Sequence, residues 1–197
     1  MKRAEIVLVV GLLIGTIGNL FQIPYSNEIF MIACFLLSCL YFYLGFAHFN
    51  EIPFRKIFKK SSYKEISTGC IAGSIGLGIS FSIIIIGFLF KFLILPGSHE
   101  MLIIGTVFLA AQTFFGALIF FKKHKGRSEF YIKNFKRVFT ILILGLISYW
   151  FPLDSLIDVR YRGRPKYAEL LKKSVKNPDN EQVKVELELE REKNRED

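Results

Sequence analysis

Ile66-Ser-Thr-Gly-Cys-Ile-Ala-Gly-Ser-Ile-Gly-Leu-Gly-Ile-Ser-Phe-Ser-Ile-Ile-Ile-Ile-Gly-Phe-Leu-Phe-Lys-Phe-Leu-Ile-Leu95 is a run of about 30 residues with a single charged side chain, Lys91. A straight membrane-crossing helix needs only about 20. The run is therefore read as a span that must tilt, kink or project. Its first half is small and polar-dotted, with Gly69, Gly73, Gly76 and Gly78 among Ser67, Ser74, Ser80 and Ser82. Gly69-xxx-Gly73 and Ala72-xxx-Gly76 give it a face that another helix can approach closely. The second half is bulky.

Outward from this run the chain repeats the pattern. Apolar blocks extend over about 5–23, 29–49, 101–121 and 138–153, and most of the charge is packed between them. Apolar residues make up 52% of the chain and the mean hydropathy is +0.39. A water-soluble globule, a disulfide scaffold and a disordered chain are all excluded by that distribution. The fold class expected is an all-α integral membrane protein with four to five transmembrane helices. It divides into a membrane domain over 1–153 and a soluble charged tail over 154–197. The lipid bilayer is its first partner.

The net charge of +9 would raise nucleic-acid binding in a soluble domain. Here the cations crowd the ends of apolar blocks, where they orient spans and touch anionic headgroups, so no nucleic-acid partner is expected. Cys34, Cys39 and Cys70 lie inside apolar blocks without a metal-ligand spacing. They read as small buried residues, and no metal or cofactor is expected. Met1-Lys2-Arg3 resembles the start of a signal peptide, but no small-x-small cleavage site follows, so the first block reads as a retained span.

Cation counts suggest the orientation. Lys2 and Arg3 precede the first block, five cations lie in the 50–65 link and seven in the 122–137 link, while the links at 24–28 and 96–100 have none. The positive-inside rule then places the N-terminus and both basic links in the cytoplasm of a bacterial inner (cytoplasmic) membrane. Within the 50–65 link, Phe54, Ile57 and Phe58 fall at i, i+3, i+4 among Arg55, Lys56, Lys59 and Lys60, the pattern of a short amphipathic helix lying on the membrane.

The fifth block is marginal for a span. Arg160, Arg162, Arg164 and Lys166 resist translocation, and a re-entrant segment would keep them inside. The expectation is a short crossing helix over about 138–153, anchored by Tyr149 and Trp150, with the tail outside. In the tail Pro165 opens a helix with Tyr167, Leu170, Leu171 and Val175 on one face. Residues 179–197 fit either a strand or an exposed helix.

The chain also contains an internal likeness. Gly18-x-Leu-Phe21-Gln22 and Gly87-x-Leu-Phe90-Lys91 are each followed by Pro-x-Ser-x-Glu, as Pro24-Ser26-Glu28 and Pro96-Ser98-Glu100, and then by an apolar span. In this pairing the second copy has three extra residues before Pro96. Two tandem helical hairpins, repeat one about 5–49 and repeat two about 66–121, would run in parallel with a pseudo-twofold along the membrane normal. Ser26 and Ser98 read as helix caps with Glu28 and Glu100 in the first turns. A pair of outer-surface carboxylates able to bind a cation or a partner's Lys or Arg is the functional alternative.

Two residues inside the spans could carry chemistry. An ionisable group at depth is a functional candidate by default. Lys91, five residues from Pro96, either snorkels to the interface or pairs with Glu100, or else lines an ion path. Gln112 reads as an interhelical hydrogen bond before a transport ligand. His48, His99 and His124 are too scattered for a metal site, and no catalytic constellation is present in the spans.

Gly87-Phe-Leu-Phe90-Lys91, then Pro96-Gly97, then Met101-Leu102-Ile-Ile-Gly105 resembles the two-span membrane segment of GldL, the inner-membrane motor component of bacterial gliding and type IX secretion. The likeness covers about 25–35 residues and recurs weakly at 15–45. It implies that Lys91 matches that family's intramembrane Lys. The family carries a Glu in the second span, whereas positions 106–112 here read Thr-Val-Phe-Leu-Ala-Ala-Gln. The long cytoplasmic coiled region is also lacking. The resemblance therefore implies a relative of the membrane hairpin rather than the gliding-motility motor itself. The function expected is that of a non-enzymatic inner-membrane protein packing with itself, as a homo-oligomer, or with another membrane protein. The alternative is a small transporter or channel with its path at the repeat interface, lined by Lys91 and Gln112.

Overall fold

The computed structural model describes residues 1–122 and 125–196. The described residues form eight α-helices and no strand: α1 (Lys2–Leu20), α2 (Ser26–Phe49), α3 (Thr68–Phe92), α4 (Ser98–Lys122), α5 (Lys125–Trp150), α6 (Leu153–Arg160), α7 (Pro165–Lys176) and α8 (Glu181–Glu196). The first four are long and apolar enough to cross a membrane, and α5 with α6 is a fifth candidate bent by 88°. In lipid every backbone N–H and C=O must be satisfied within the segment, so even the Ile-rich second half of α3 is helical despite its strand-like composition. The protein is thus an all-α, multi-pass membrane protein with four to five spans.

α3 is the central helix. It packs against α2, α4 and α5, whereas α1 packs mainly on α2. Phe81, Ile84 and Ile85 from α3, Phe30 and Phe49 from α2, and Leu102 and Leu109 from α4 are fully buried between them. Outward-facing Val7, Ile14, Phe35, Val107 and Phe115 are exposed, as lipid-facing side chains should be. Helix contact depends on small residues. A Cβ on Gly15 would lie 2.7 Å from the backbone of Phe30, and one on Gly78 would collide with the carbonyl oxygen of Tyr41.

The two hairpin turns have the same backbone. Gln22 and Tyr25 have φ of 56° and 62°, and Ile94 and Gly97 have φ of 59° and 82°. Ile23 N–H bonds to Gly18 O and Leu95 N–H to Phe90 O, both at 2.8 Å, which is the closing bond of a Schellman motif in each case. Gln22 N–H to Asn19 O is matched by Ile94 N–H to Lys91 O. The close contact of Gly15 with Phe30 is matched by that of Gly87 with Leu102. These matches pair Pro24 directly with Pro96 and leave no room for the three-residue insertion expected from sequence. The Gly-x-Leu-Phe pairing aligns side chains, whereas the turn geometry follows backbone bonds. Lys91 accordingly stands opposite Asn19 rather than Gln22.

Other local expectations are revised. Ser26 does not cap α2: Tyr25 occupies that position, and the Ser26 hydroxyl donates to Ile23 O at 2.6 Å, closing the turn instead. Residues 50–65 hold two short 3-10 turns, Phe54–Lys56 and Lys60–Tyr63, in place of one amphipathic helix. A piece this short is costly to nucleate, and the chain leaves α2 through Glu51 at φ 58° and then Pro53. Ile52 and Ile57 turn inward while Phe54 and Phe58 point out.

α5 begins well before the fifth apolar block and stops at Trp150, not Leu153. Pro152 has no N–H to give and disfavours helical backbone at Phe151, so the chain turns there and restarts as α6. The strand alternative for 179–197 is excluded. Asn180 Oδ1 accepts from Val183 N–H, and α8 follows, packed on α7. His124 lies outside the described residues.

Candidate polar sites of the membrane domain

Two groups of polar side chains lie near opposite ends of the bundle. The first is centred on Glu5, the only acidic residue of α1, buried despite its charge. Its Oε1 accepts from the Tyr41 hydroxyl at 2.7 Å. Its Oε2 lies 2.9 Å from an Arg137 guanidinium nitrogen and 3.1 Å from His48 Nε2. Tyr41 and His48 are seven residues apart on α2, two helical turns, and so share a face. One carboxylate thus joins α1, α2 and α5. Nearby, the Asn134 side chain of α5 donates to Phe49 O at 3.3 Å, and Lys2 pairs with Glu51. Tyr41 also stacks on Phe49 and meets Phe81 edge-on, so the polar group sits on an aromatic floor.

The second group contains Lys91, and it corrects the sequence reading. Lys91 neither snorkels nor pairs with Glu100. It is only 8% exposed, and its Nζ donates to Ser148 O and, at 3.2 Å, to Tyr149 O. These are among the last carbonyls of α5, which carry the negative end of its dipole. A cation there gains charge-assisted hydrogen bonds that water at the interface would have to match. Arg160 of α6 repeats the device, donating to Phe92 O at the end of α3 and to Asn27 Oδ1 at 2.9 Å, with its guanidinium 5.4 Å above the Phe92 ring. His99 stacks on Tyr149 at 4.5 Å.

Glu28 and Glu100 are exposed on the first turns of α2 and α4, with no ion pair to each other or to Lys91. Gln112 Nε2 donates to Ser80 Oγ at 3.1 Å, the interhelical bond preferred from sequence, and Ser38 bonds Ser82 at 2.6 Å between α2 and α3. The structure therefore does not gather Lys91, Glu100, Glu28 and Gln112 into one site. Among the described residues no three His, Cys, Asp or Glu side chains come together as metal ligands.

The Glu5 group escaped the sequence reading. Its available signals were an acid inside an apolar helix and the seven-residue spacing of Tyr41 and His48. In the sequence Arg137 is one of seven cations in the 122–137 link and carries no sign of a specific partner.

Along α5 the two groups are eleven residues apart, Arg137 to Ser148, or roughly 16 Å at the helical rise. Both fit within or at the rims of a ~30 Å hydrocarbon core. α5 therefore runs from the end holding the N-terminus to the end holding the two hairpin turns, and it delivers α6–α8 to the turn side. Comparison with protein-family models, curated proteins and solved structures finds no match for the chain.

Proposed function

We propose that this chain is a non-enzymatic protein of a bacterial inner membrane that works by packing, with itself or with another membrane protein, and that its membrane domain is a duplicated GldL-like hairpin braced by α5. The observation that carries this reading is where its buried polar groups are spent. Glu5 holds three helices together, Lys91 caps α5, and Gln112 ties α4 to α3. Charged groups committed to fixing helices suit a rigid scaffold. A transport path would need Lys91 and Gln112 to face a common route, and their engagement with different helices weighs against that alternative. The matched turns at Gln22–Tyr25 and Ile94–Gly97 support the duplication.

In this reading the N-terminus is cytoplasmic and the tail lies outside. The tail from 154 onward has eleven basic and eleven acidic residues, so the whole excess of +9 belongs to residues 1–153. Apart from Lys91 those cations belong to the N-terminal residues and the two basic links of the sequence, the pattern that the positive-inside rule assigns to the cytoplasm. Impermeant maleimide applied to intact cells should label Ser174→Cys in a background lacking the native cysteines. Labelling only after lysis would reverse the orientation.

The packing role is tested by placing a photo-crosslinking amino acid at exposed Phe115 on α4 and Val185 on α8 in native membranes. A discrete adduct at either site, with no ion flux in liposomes, is expected. Absence of adducts together with a flux that Lys91→Met abolishes would establish the transport alternative instead.

A further inference from the structure

At the N-terminal end, the outer side of the α1–α2 pair is grooved. Val7, Leu8, Leu36 and Leu40 line the groove, with Arg3 and Tyr43 toward the helix end; it is shallow and open along its length, with a volume of about 680 Å³. From Tyr43 to Leu36 it descends seven residues of α2, roughly 10 Å at the helical rise. Its wall is almost entirely apolar and opens toward lipid, while that end carries a guanidinium. Lys2 is taken by Glu51, and Glu5 is taken by Tyr41, His48 and Arg137, so no acid of α1 is left for Arg3.

The link after α2 stands beside that end. Leu44, which also lines the groove, packs on the cluster of Ala47, Ile52 and Ile57 that anchors the link, and Met1 joins the same cluster. The Tyr63 hydroxyl donates to Ile57 O at 2.6 Å, and its ring stacks on Phe46. On this fixed base Phe58 is 95% exposed and Phe54 62% exposed, between Arg55, Lys56, Lys59 and Lys60. Two bare aromatic rings among four cations that make no ion pair among the described residues are the composition of a segment dipping into an anionic membrane surface.

We propose that this face holds one anionic glycerophospholipid, with an acyl chain in the α1–α2 groove, its phosphate on Arg3, and its headgroup bounded by the basic link. Phe54 and Phe58 insert among the neighbouring chains. Charge selects the ligand. A zwitterionic lipid brings its own amine and gains less from this set of cations, whereas each cation near an anionic headgroup is worth enough for about a five-fold change in affinity. The site requires that the chain lie in a bilayer but is independent of the packing role.

The test uses the full chain in mild detergent, with native mass spectrometry against an equimolar mixture of phosphatidylglycerol and phosphatidylethanolamine. One phosphatidylglycerol should be retained in preference. Arg3→Gln should lower that preference about five-fold. Leu36→Trp, which fills the groove from an exposed position, should remove the retained lipid. Val7→Trp serves the same purpose should Leu36→Trp lower thermal stability. Equal retention of the two lipids, or a preference unchanged in both Arg3→Gln and the groove-filling variant, would overturn the proposal, the latter by reducing it to adsorption on the basic link.

Discussion

Replacing Glu5 by Gln tests the reading of the polar group at the N-terminal end. The amide oxygen of Gln can still accept from Tyr41, 2.7 Å away in the native arrangement, so that bond survives. What is lost is the negative charge facing Arg137 at 2.9 Å and His48 at 3.1 Å. Breaking a fully buried ion pair costs about 3–5 kcal/mol, mostly because the surviving charge is stranded. The Arg137 side chain is 25% exposed, so part of that charge can rehydrate at the headgroups. The expected loss is therefore below the buried range, about 2 kcal/mol. Arg137→Gln should cost a similar amount, since it strands Glu5. The double variant strands nothing and should be more stable than the sum of the two singles implies, by about 1 kcal/mol or more. Tyr41→Phe, which removes one neutral donor, should cost about 1 kcal/mol. The assay is SDS-driven unfolding in mixed micelles followed by circular dichroism. Strict additivity of Glu5→Gln and Arg137→Gln would refute the claim that the two side chains act as a pair tying α1 to α5.

Three further outcomes follow from the packing. Lys91→Met keeps the volume but takes a charged donor from Ser148 O and Tyr149 O; about 2 kcal/mol of stability should go, with faster hydrogen exchange through the bend at 151–157, and a silent result would return Lys91 to the interface. Gly78→Ala drives a methyl into the Tyr41 carbonyl and should cost about 1–3 kcal/mol in the same unfolding assay, while Gly73→Ala, with nothing within 4 Å, should be neutral or slightly stabilising. Ile94→Gly relieves a β-branched residue from φ 59° and should raise the unfolding midpoint by about 1 kcal/mol equivalent; a drop would mean that the Ile94 side chain contributes more than its backbone strain costs.

The sequence by itself determined the class of this protein, the positions of its spans and the ends of the bundle at which cations collect. Those properties are local. An apolar run of about 20 residues has no stable state in water and one favoured state in lipid, whatever its neighbours do. Turn residues are local too, so Pro24 and Pro96 marked the two hairpins correctly. Where an expectation depended on the partner of a side chain, tertiary structure decided it. Lys91 lies one turn from the interface, and its sequence neighbours allow it to reach water; only the arrival of α5, some 57 residues later, places Ser148 O where Nζ finds it first. Glu5 and Arg137 are 132 residues apart, and no spacing rule relates them. Their meeting requires that α5 cross the bundle back to the end where α1 begins. The same crossing, rather than the cation count of the tail, puts α6–α8 on the face of the hairpin turns. A helix bend fixed by Pro152 and secured by Arg160 on Phe92 O is a long-range contact between charges and carbonyl dipoles, and such contacts exist only once the helices have packed.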